Sequence, residues 1–118
     1  TLPLVVGDVA VDRARHRAWW QGTAVSLTPK EFDLLELLLA HAGQVLARAV
    51  LLRRVWGQAT GAGNKTLEVH VSRLRTKVEE DPARPRRLLT VRGVGYRYRA
   101  VPSEAPGGDP GAPPEGRG

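Results

Sequence analysis

The stretch KTLEVHVSRLRTK, residues 65 to 77, decides between two folds. Its centre alternates like a half-buried strand, because Val69 and Val71 stand on either side of His70. A helix instead gathers four apolar side chains within about 60° of one another: Leu67, Val71, Leu74 and Val78. The run is also long for a strand. We therefore predict a helix over about 64–80, capped by Asn64.

The opposite face of this predicted helix combines cations with short side chains. Its centre and flanks are Lys65, Val69, Ser72, Arg73 and Thr76, then Thr66, His70 and Lys77 on one side and Glu68 and Arg75 on the other. A helix inserted into a DNA groove needs this mixture: cations for phosphate and guanine, small groups for close approach and a methyl for thymine. The alternative is an ordinary solvated face, which is what charge on a helix usually means.

The residues before this helix predict a small antiparallel sheet and two further helices. Short β-rich runs at 4–6, 9–11, 18–20 and 24–27 predict three or four strands. Thr28, Pro29 and Glu31 then form a capping-box signature. They open a strongly apolar helix, which we expect Gly43 to end. A second helix is predicted over about 48–56, closed by Gly57.

The residues after the helix predict a basic β-hairpin. Residues 88–91 and 96–100 read as two strands, joined by a turn through Arg92, Gly93, Val94 and Gly95. The order of elements is therefore a sheet of about four strands, two helices, a loop, a third helix and a hairpin. This is an α+β, winged helix-turn-helix architecture.

Length and charge predict one basic domain with an acidic tail. The chain has 118 residues and a formal charge of +6. Residues 102–118 hold three acids and one arginine, which leaves +8 on residues 1–101. We expect 1–101 to be the folded domain and the Pro/Gly-rich segment 102–118 to be disordered. Six arginines and no acid between 84 and 99 favour a polyanion as partner. Because arginine outnumbers lysine 15 to 3 throughout, a merely arginine-rich surface is the alternative.

The sequence gives little support for an enzyme or for a metal-binding protein. The chain has no cysteine, and its three histidines, 16, 41 and 70, fall on different predicted elements without acid partners at ligand spacing. The segment GAGNKT (61–66) lacks the spacing and the larger α/β domain of a phosphate-binding loop. We predict that the domain is not an enzyme and needs no cofactor or metal.

Four segments resemble one family in the family's own order. LTPKEFDLLELLLAHAG, LLRRVWG, KTLEVHVSRLRTKVE and TVRGVGYRY look like successive signatures of the OmpR/PhoB-type winged-helix domain, over about residues 3–100. That domain is the DNA-binding effector of many bacterial two-component response regulators. The resemblance implies a third helix in the major groove and a wing (88–100) in the minor groove. It also implies that the loop 57–64 can contact RNA polymerase.

The resemblance assigns roles to individual positions. The base contacts would be Arg73, Val69 and Ser72, and the wing contacts Arg92 and Thr90. The phosphate contacts would be Lys65, Thr66, His70, Arg75, Trp56 and Tyr96. The polymerase-contact loop would comprise Gln58, Ala59, Thr60, Gly61, Ala62 and Gly63. Two positions depart from the pattern: Ala47 replaces the usual capping Ser or Thr of the second helix, and Ser72 stands where relatives often carry a basic residue.

The resemblance also implies partners and a cellular setting. We expect double-stranded DNA, bound as tandem direct repeats, and a receiver domain N-terminal to this segment. We expect the isolated domain to be monomeric and cytoplasmic. Two alternatives remain: a winged helix used for protein contacts, and the same DNA-binding domain attached to a sensor other than a receiver.

Overall fold

The chain begins with a four-stranded antiparallel sheet, as predicted. The structure is a computed structural model that describes residues 3–57 and 63–103. The strands follow one another in chain order: β1 (Leu4–Val6), β2 (Val9–Asp12), β3 (Arg17–Trp20) and β4 (Thr23–Val25). The inward side chains Val9, Val11 and Ala18 are buried in the main core. Buried and half-buried residues alternate along β2, so Val9 and Val11 share the face of the sheet that packs inward.

Helix α1 (Pro29–Ala40) begins at the predicted capping box. The Thr28 hydroxyl accepts from the Glu31 N–H at 3.3 Å, and the Glu31 carboxylate accepts from the Thr28 N–H at 3.0 Å. The prediction that Gly43 ends this helix is wrong, because the helix ends at Ala40 with His41 as its cap. The Gly43 N–H instead donates to the carbonyl of Tyr98 at 2.8 Å, which ties the following loop to the C-terminal sheet.

Helix α2 (Arg48–Trp56) has the predicted bounds and no side-chain cap. Ala47 makes no capping hydrogen bond, as its methyl side chain requires. The free N–H of Arg48 donates to the carbonyl of Val94 at 3.3 Å. A backbone carbonyl of the hairpin turn thus accepts a hydrogen bond from one N–H at the start of α2, where a capping hydroxyl would otherwise accept one.

Helix α3 (Gly63–Val78) confirms the helical interpretation of the opening stretch. Its four predicted core residues are at most 1% exposed: Leu67, Val71, Leu74 and Val78. Two details of the prediction are wrong. Asn64 lies inside the first turn, so it is not the N-cap, and the helix ends at Val78, two residues before Glu80. Residues 58–62, most of the predicted polymerase-contact loop, lie outside the described residues, and Gly63 is the first residue of the helix.

The predicted hairpin belongs to a three-stranded sheet. Its strands, in the spatial order β5–β7–β6, are β5 (Val45–Ala47), β6 (Leu88–Val91) and β7 (Gly95–Tyr98). Sequence analysis did not predict β5. Gly95 permits this pairing, because a Cβ at that position would collide with the Leu46 carbonyl. We call β6, β7 and their turn the wing. Of the predicted tail, residues 104–118 lie outside the described residues.

A buried arginine joins the first sheet, the end of α3 and the wing. Arg87 is fully buried, and its guanidinium donates to Asp8, Glu79 and Glu80. It also lies over the ring of Trp20, 5.2 Å from the centroid. The bond to Asp8 is the main reason that the pKa of Arg87 is raised. Of the six arginines between 84 and 99 that favour a polyanion as partner, Arg87 is therefore part of the core, and using it in that argument was wrong.

Candidate nucleic-acid interface

The exposed face of α3 carries the side chains that its spacing predicts. Between residues 65 and 78 of this helix, six side chains are exposed: Lys65, Glu68, Val69, Ser72, Arg73 and Thr76. Four more are half-buried at its margins: Thr66, His70, Arg75 and Lys77. Because the opposite stripe lies in the core, this face is presented as a rigid surface with Arg73 near its centre.

Arg73 is the cation best placed to contact an external ligand. Its side chain is exposed, and within 3–57 and 63–103 no hydrogen bond or ion pair engages its guanidinium. The ammonium of Lys65, near the N-terminal end of the helix, is also exposed and has no hydrogen bond or ion pair within the described ranges. Arginine has five N–H donors in a fixed fork, so Arg73 can bind two acceptors in one plane.

Lys77, by contrast, is committed to the fold. Its ammonium lies 2.7 Å from the carboxylate of Glu31, which is itself buried. Burial alone would raise the pKa of Glu31, but the bonds from Lys77 and from the Thr28 backbone outweigh it, so the pKa is lowered. Lys77 therefore anchors α3 to the start of α1.

Three predicted phosphate contacts form one cluster at the N-terminal half of α3. The Nδ1 atom of His70 lies 2.8 Å from the carbonyl of Thr66, which can only accept, so Nδ1 carries the proton. The ring of Trp56 meets the His70 imidazole edge to face, with centroids 5.0 Å apart. These contacts fix the imidazole and leave its Nε2 uncommitted, since no partner for it lies in the described ranges.

The wing presents Arg92 at its turn. Arg92 and its neighbour Val94 are exposed, the latter by 48%. Tyr96, predicted as a phosphate contact, is only 3% exposed, and the guanidinium of Arg48 lies 5.7 Å from its ring centroid. Its side chain packs in the core, which leaves little surface for the predicted contact.

Two predicted DNA contacts bind each other. The Arg75 guanidinium donates to the Thr90 hydroxyl at 2.8 Å and, from two nitrogens, to the carbonyl of Leu88. Burial lowers the pKa of Arg75, although Tyr96 and Glu79 act against this shift. Arg75 therefore faces the wing rather than open solvent. The helical pattern places Arg75 on a flank of the exposed face, but it does not predict the contact with the wing, which depends on the angle between two elements.

Two other kinds of site are not found in the ranges that the structure describes. No described helix is long and apolar enough to cross a membrane. Within 3–57 and 63–103, no group of three or more histidine or acidic side chains could hold a metal ion.

Comparison with known proteins identifies the family. The profile of the family described as "Transcriptional regulatory protein, C terminal" matches residues 22–98. The sensory transduction protein RegX3 and the DNA-binding response regulator MtrA, both of Mycolicibacterium smegmatis, are each 51% identical over 94 residues. Those residues are 80% of this chain and 41% of each relative. The chain thus spans about two fifths of the length of these relatives.

A solved structure agrees with the sequence relatives. The DNA-binding domain of Klebsiella pneumoniae RstA, determined in complex with the RstA box, is 30% identical and aligns with a TM-score of 0.76. The alignment covers 84% of this chain and 98% of that one. The profile match, the sequence relatives and the shared winged-helix architecture together establish that the chain belongs to the OmpR/PhoB-type family of transcriptional-regulator C-terminal domains.

Proposed function

We propose that this domain binds double-stranded DNA with sequence specificity and thereby regulates transcription. The observation that carries the proposal is the exposed guanidinium of Arg73 at the centre of the outer face of α3, without a partner among residues 3–57 and 63–103. The relatives support it, because MtrA is named a DNA-binding response regulator and the RstA domain was solved with its DNA box.

Helix α3 would lie in the major groove. There Arg73 can donate to both O6 and N7 of one guanine, a pair of bonds that is worth about 1–3 kcal/mol of discrimination. Val69 and Ser72 would face neighbouring bases, the valine methyls towards a thymine methyl. Lys65, Thr66, His70 and Trp56 would hold the backbone on either side of the groove.

The wing would lie over the adjacent minor groove. Arg92 at its turn is suited to a narrow A·T groove, where the negative potential is strongest. Such a contact reads groove width rather than base edges. The two arginines would therefore contribute different kinds of specificity, one direct and one through DNA shape.

A binding-site selection with single variants tests these roles. Arg73→Ala should stay folded and lose discrimination at one or two guanine positions. Arg92→Ala should weaken binding mainly to sites with A·T-rich flanks. Arg84→Ala is the matched control, because Arg84 is exposed and belongs neither to α3 nor to the wing, and it should select the unaltered site. If folded Arg73→Ala selects the same site with the same affinity, α3 is not the reading helix.

The setting of the domain is a further part of the proposal. We infer that it is the cytoplasmic, C-terminal effector of a bacterial two-component response regulator, with a receiver domain before it and no catalytic activity of its own. It would bind tandem direct repeats, contact RNA polymerase through residues 57–64, and be monomeric when isolated. Sedimentation without DNA checks the last point, and a stable dimer would contradict it.

The alternative functions make different predictions. A protein-binding winged helix would show perturbed α3 resonances with a protein partner and none with DNA. Titrating short duplexes against the labelled domain separates these cases. Attachment to a sensor other than a receiver would leave DNA binding intact, so the residues that precede Thr1 decide it.

A further inference from the structure

The edge strand of the wing is held by the side chains of Arg75, in α3, and of Glu79, the residue that follows the helix. Strand β6 lies at the edge of its sheet, and the Arg99 N–H donates to the carbonyl of Arg87, on the inner side. Because peptide groups alternate along a strand, the N–H and C=O of Leu88 point outward. The N–H donates to the Glu79 carboxylate at 2.8 Å, and the C=O accepts from Arg75 at 2.9 and 3.1 Å.

Arg75 lies in the last turn of α3, and Glu79 follows the helix four residues later, where its N–H still donates to the Arg75 carbonyl at 3.1 Å. The two side chains bind the two backbone polar groups of one wing residue, Leu88. We call these two side chains, together with the backbone N–H and C=O of Leu88, the clamp. A third bond of Arg75, from its guanidinium to the Thr90 hydroxyl at 2.8 Å, extends the clamp along β6. Open strand edges need such partners, because their polar groups otherwise remain unpaired.

We propose that Arg75 is a positioning residue: through the clamp it fixes the angle between α3 and the wing, and so the separation of Arg73 from Arg92. This inference rests on the proposed DNA binding. It departs from the phosphate contact that the family resemblance implies. Nε and one amino group of Arg75 are already engaged with the wing, and only the remaining Nη1 has no partner in the described ranges.

The chemistry of the clamp explains why an arginine occupies this position. The planar guanidinium reaches one carbonyl from two nitrogens and a hydroxyl from one of them, so it sets an orientation as well as a distance. A lysine ammonium is a point charge without this fork. The carboxylate of Glu79, the other side chain of the clamp, is buried and also accepts from the backbone N–H groups of Arg86 and Arg87. These bonds hold the carboxylate in a fixed position.

A clamped wing has a consequence for recognition. If the wing is fixed before binding, both grooves are contacted without the cost of ordering the hairpin. The distance between the guanine read by Arg73 and the A·T flank read by Arg92 is then also fixed. An unclamped wing would bind more weakly and tolerate a change in that distance.

The geometric half of the proposal can be tested without DNA. Because the chain has no cysteine, Ser72→Cys and Val94→Cys introduce two spin labels at exposed positions on α3 and the wing. The unaltered clamp should give a narrow label-to-label distance distribution. Arg75→Met should broaden it, Arg75→Lys should restore it in part, and the control Lys65→Met should leave it unchanged. An equally narrow distribution in Arg75→Met overturns the proposal.

The effect on DNA binding is tested by measuring affinity for two duplexes. One carries the site obtained by selection, and in the other the A·T flank is moved by one base pair. The unaltered chain should lose about tenfold or more in affinity on the shifted duplex, and Arg75→Met clearly less. The slope of log K against log salt should be the same for both proteins. A slope shallower by about one in Arg75→Met, with the shift penalty retained, would instead make Arg75 a phosphate contact.

The proposed DNA binding and the proposed role of Arg75 can be refuted independently of each other. If the unaltered chain binds no duplex, the proposed function is wrong, whereas the distance distributions still decide whether Arg75 holds the wing. If Arg75→Met does not fold, Thr90→Val removes only the third bond of Arg75. The distribution should then broaden to a smaller extent, and no broadening in a folded Thr90→Val chain overturns the proposal in that case.

Discussion

Replacing Arg87 by methionine should destabilise the domain severely, although the residue lies outside every proposed DNA contact. Its guanidinium makes five hydrogen bonds with Asp8, Glu79 and Glu80, at 2.5 to 3.3 Å. Removing one partner of a buried ion pair costs about 3–5 kcal/mol, because the other charge stays buried and uncompensated. Domains of this size are stable by about 5–15 kcal/mol, so the loss is a large share of the total.

The structure places the expected loss near the lower end of that range. In Arg87→Met, Asp8 keeps the bonds from the Trp20 indole and the Gln21 amide, at 3.3 and 3.1 Å. Glu79 keeps those from three backbone N–H groups. Glu80 is 45% exposed, so water screens its charge. We therefore expect a decrease of about 3 kcal/mol in the free energy of unfolding.

Urea titration followed by circular dichroism measures this decrease. Arg84→Met is the matched control, since it removes an exposed arginine of the same segment and should change stability by about 0.5 kcal/mol or less. A decrease below about 1 kcal/mol in Arg87→Met would show that the ion-pair network contributes little.

The pH dependence of the same variant gives an independent check. The bonds from Arg87 are the main cause that lowers the pKa of Glu80 from 4.5 to about 2. This contribution to stability is fully present above about 4.5 and is lost as the pH falls towards 2. In Arg87→Met the pKa of Glu80 should return towards its ordinary value. The stability difference between the two proteins should therefore narrow as the pH falls from 4.5, and a constant difference would refute the assignment.

Three further perturbations have defined outcomes. Lys65→Ala should weaken binding to all duplexes alike and make the salt slope shallower by about one, and an unchanged slope would remove Lys65 from the phosphate contacts. Gly7→Ala should cost about 2 kcal/mol or more, because the residue has φ +60° and a Cβ would collide with the Val101 backbone. Gly22→Ala, at φ +81° with nothing within 4 Å, should cost only about 1 kcal/mol, so equal losses in urea titration would contradict the argument from Val101. Removing residues 104–118 should leave Tm unchanged, since Val101 already completes the fold by accepting from the Asp8 N–H, and a drop of several degrees would mean that the tail docks.

The parts of the fold that sequence predicts are those encoded by local rules. The side of α3 that is buried follows from a 3.6-residue period in its apolar residues. The start of α1 follows from the capping box of Thr28 and Glu31, whose two bonds depend only on residues three apart. The hairpin follows from the glycine-containing turn between two β-rich runs. Each of these signals is complete within a dozen residues.

The parts that sequence did not predict depend on contacts between distant residues. Strand β5 has three residues and exists because β7, some fifty positions later, offers it an edge. Arg87 meets Asp8 across 79 positions, so no local pattern could separate it from the exposed arginines around it. For the candidate site, the exposed face of α3 was predicted in full, but the engagement of Arg75 with Thr90 was not, because it requires the angle between two elements.

Three arginines of this chain have different roles, and the role of each follows from the number of hydrogen-bond acceptors that the fold places beside its guanidinium. Arg87 has three carboxylate partners and is buried, so it holds the fold together. Arg75 has one carbonyl and one hydroxyl, is half-buried, and remains protonated beside the wing that it contacts. Arg73 has no such partner in the described ranges and is exposed, so its binding capacity is directed outward.

The same distinction changes the charge that a polyanion meets. The buried charged residues are Asp8, Glu31, Glu79 and Arg87, a net charge of −2. Since residues 1–101 carry +8 in total, the side chains that solvent can reach carry +10. The fold therefore places more of its acids than of its bases in the interior, where each is hydrogen-bonded. A polyanion therefore makes its direct contacts with side chains that are more basic than the composition implies. Its long-range attraction, over a Debye length of about 10 Å at 0.1 M salt, still follows the total of +8.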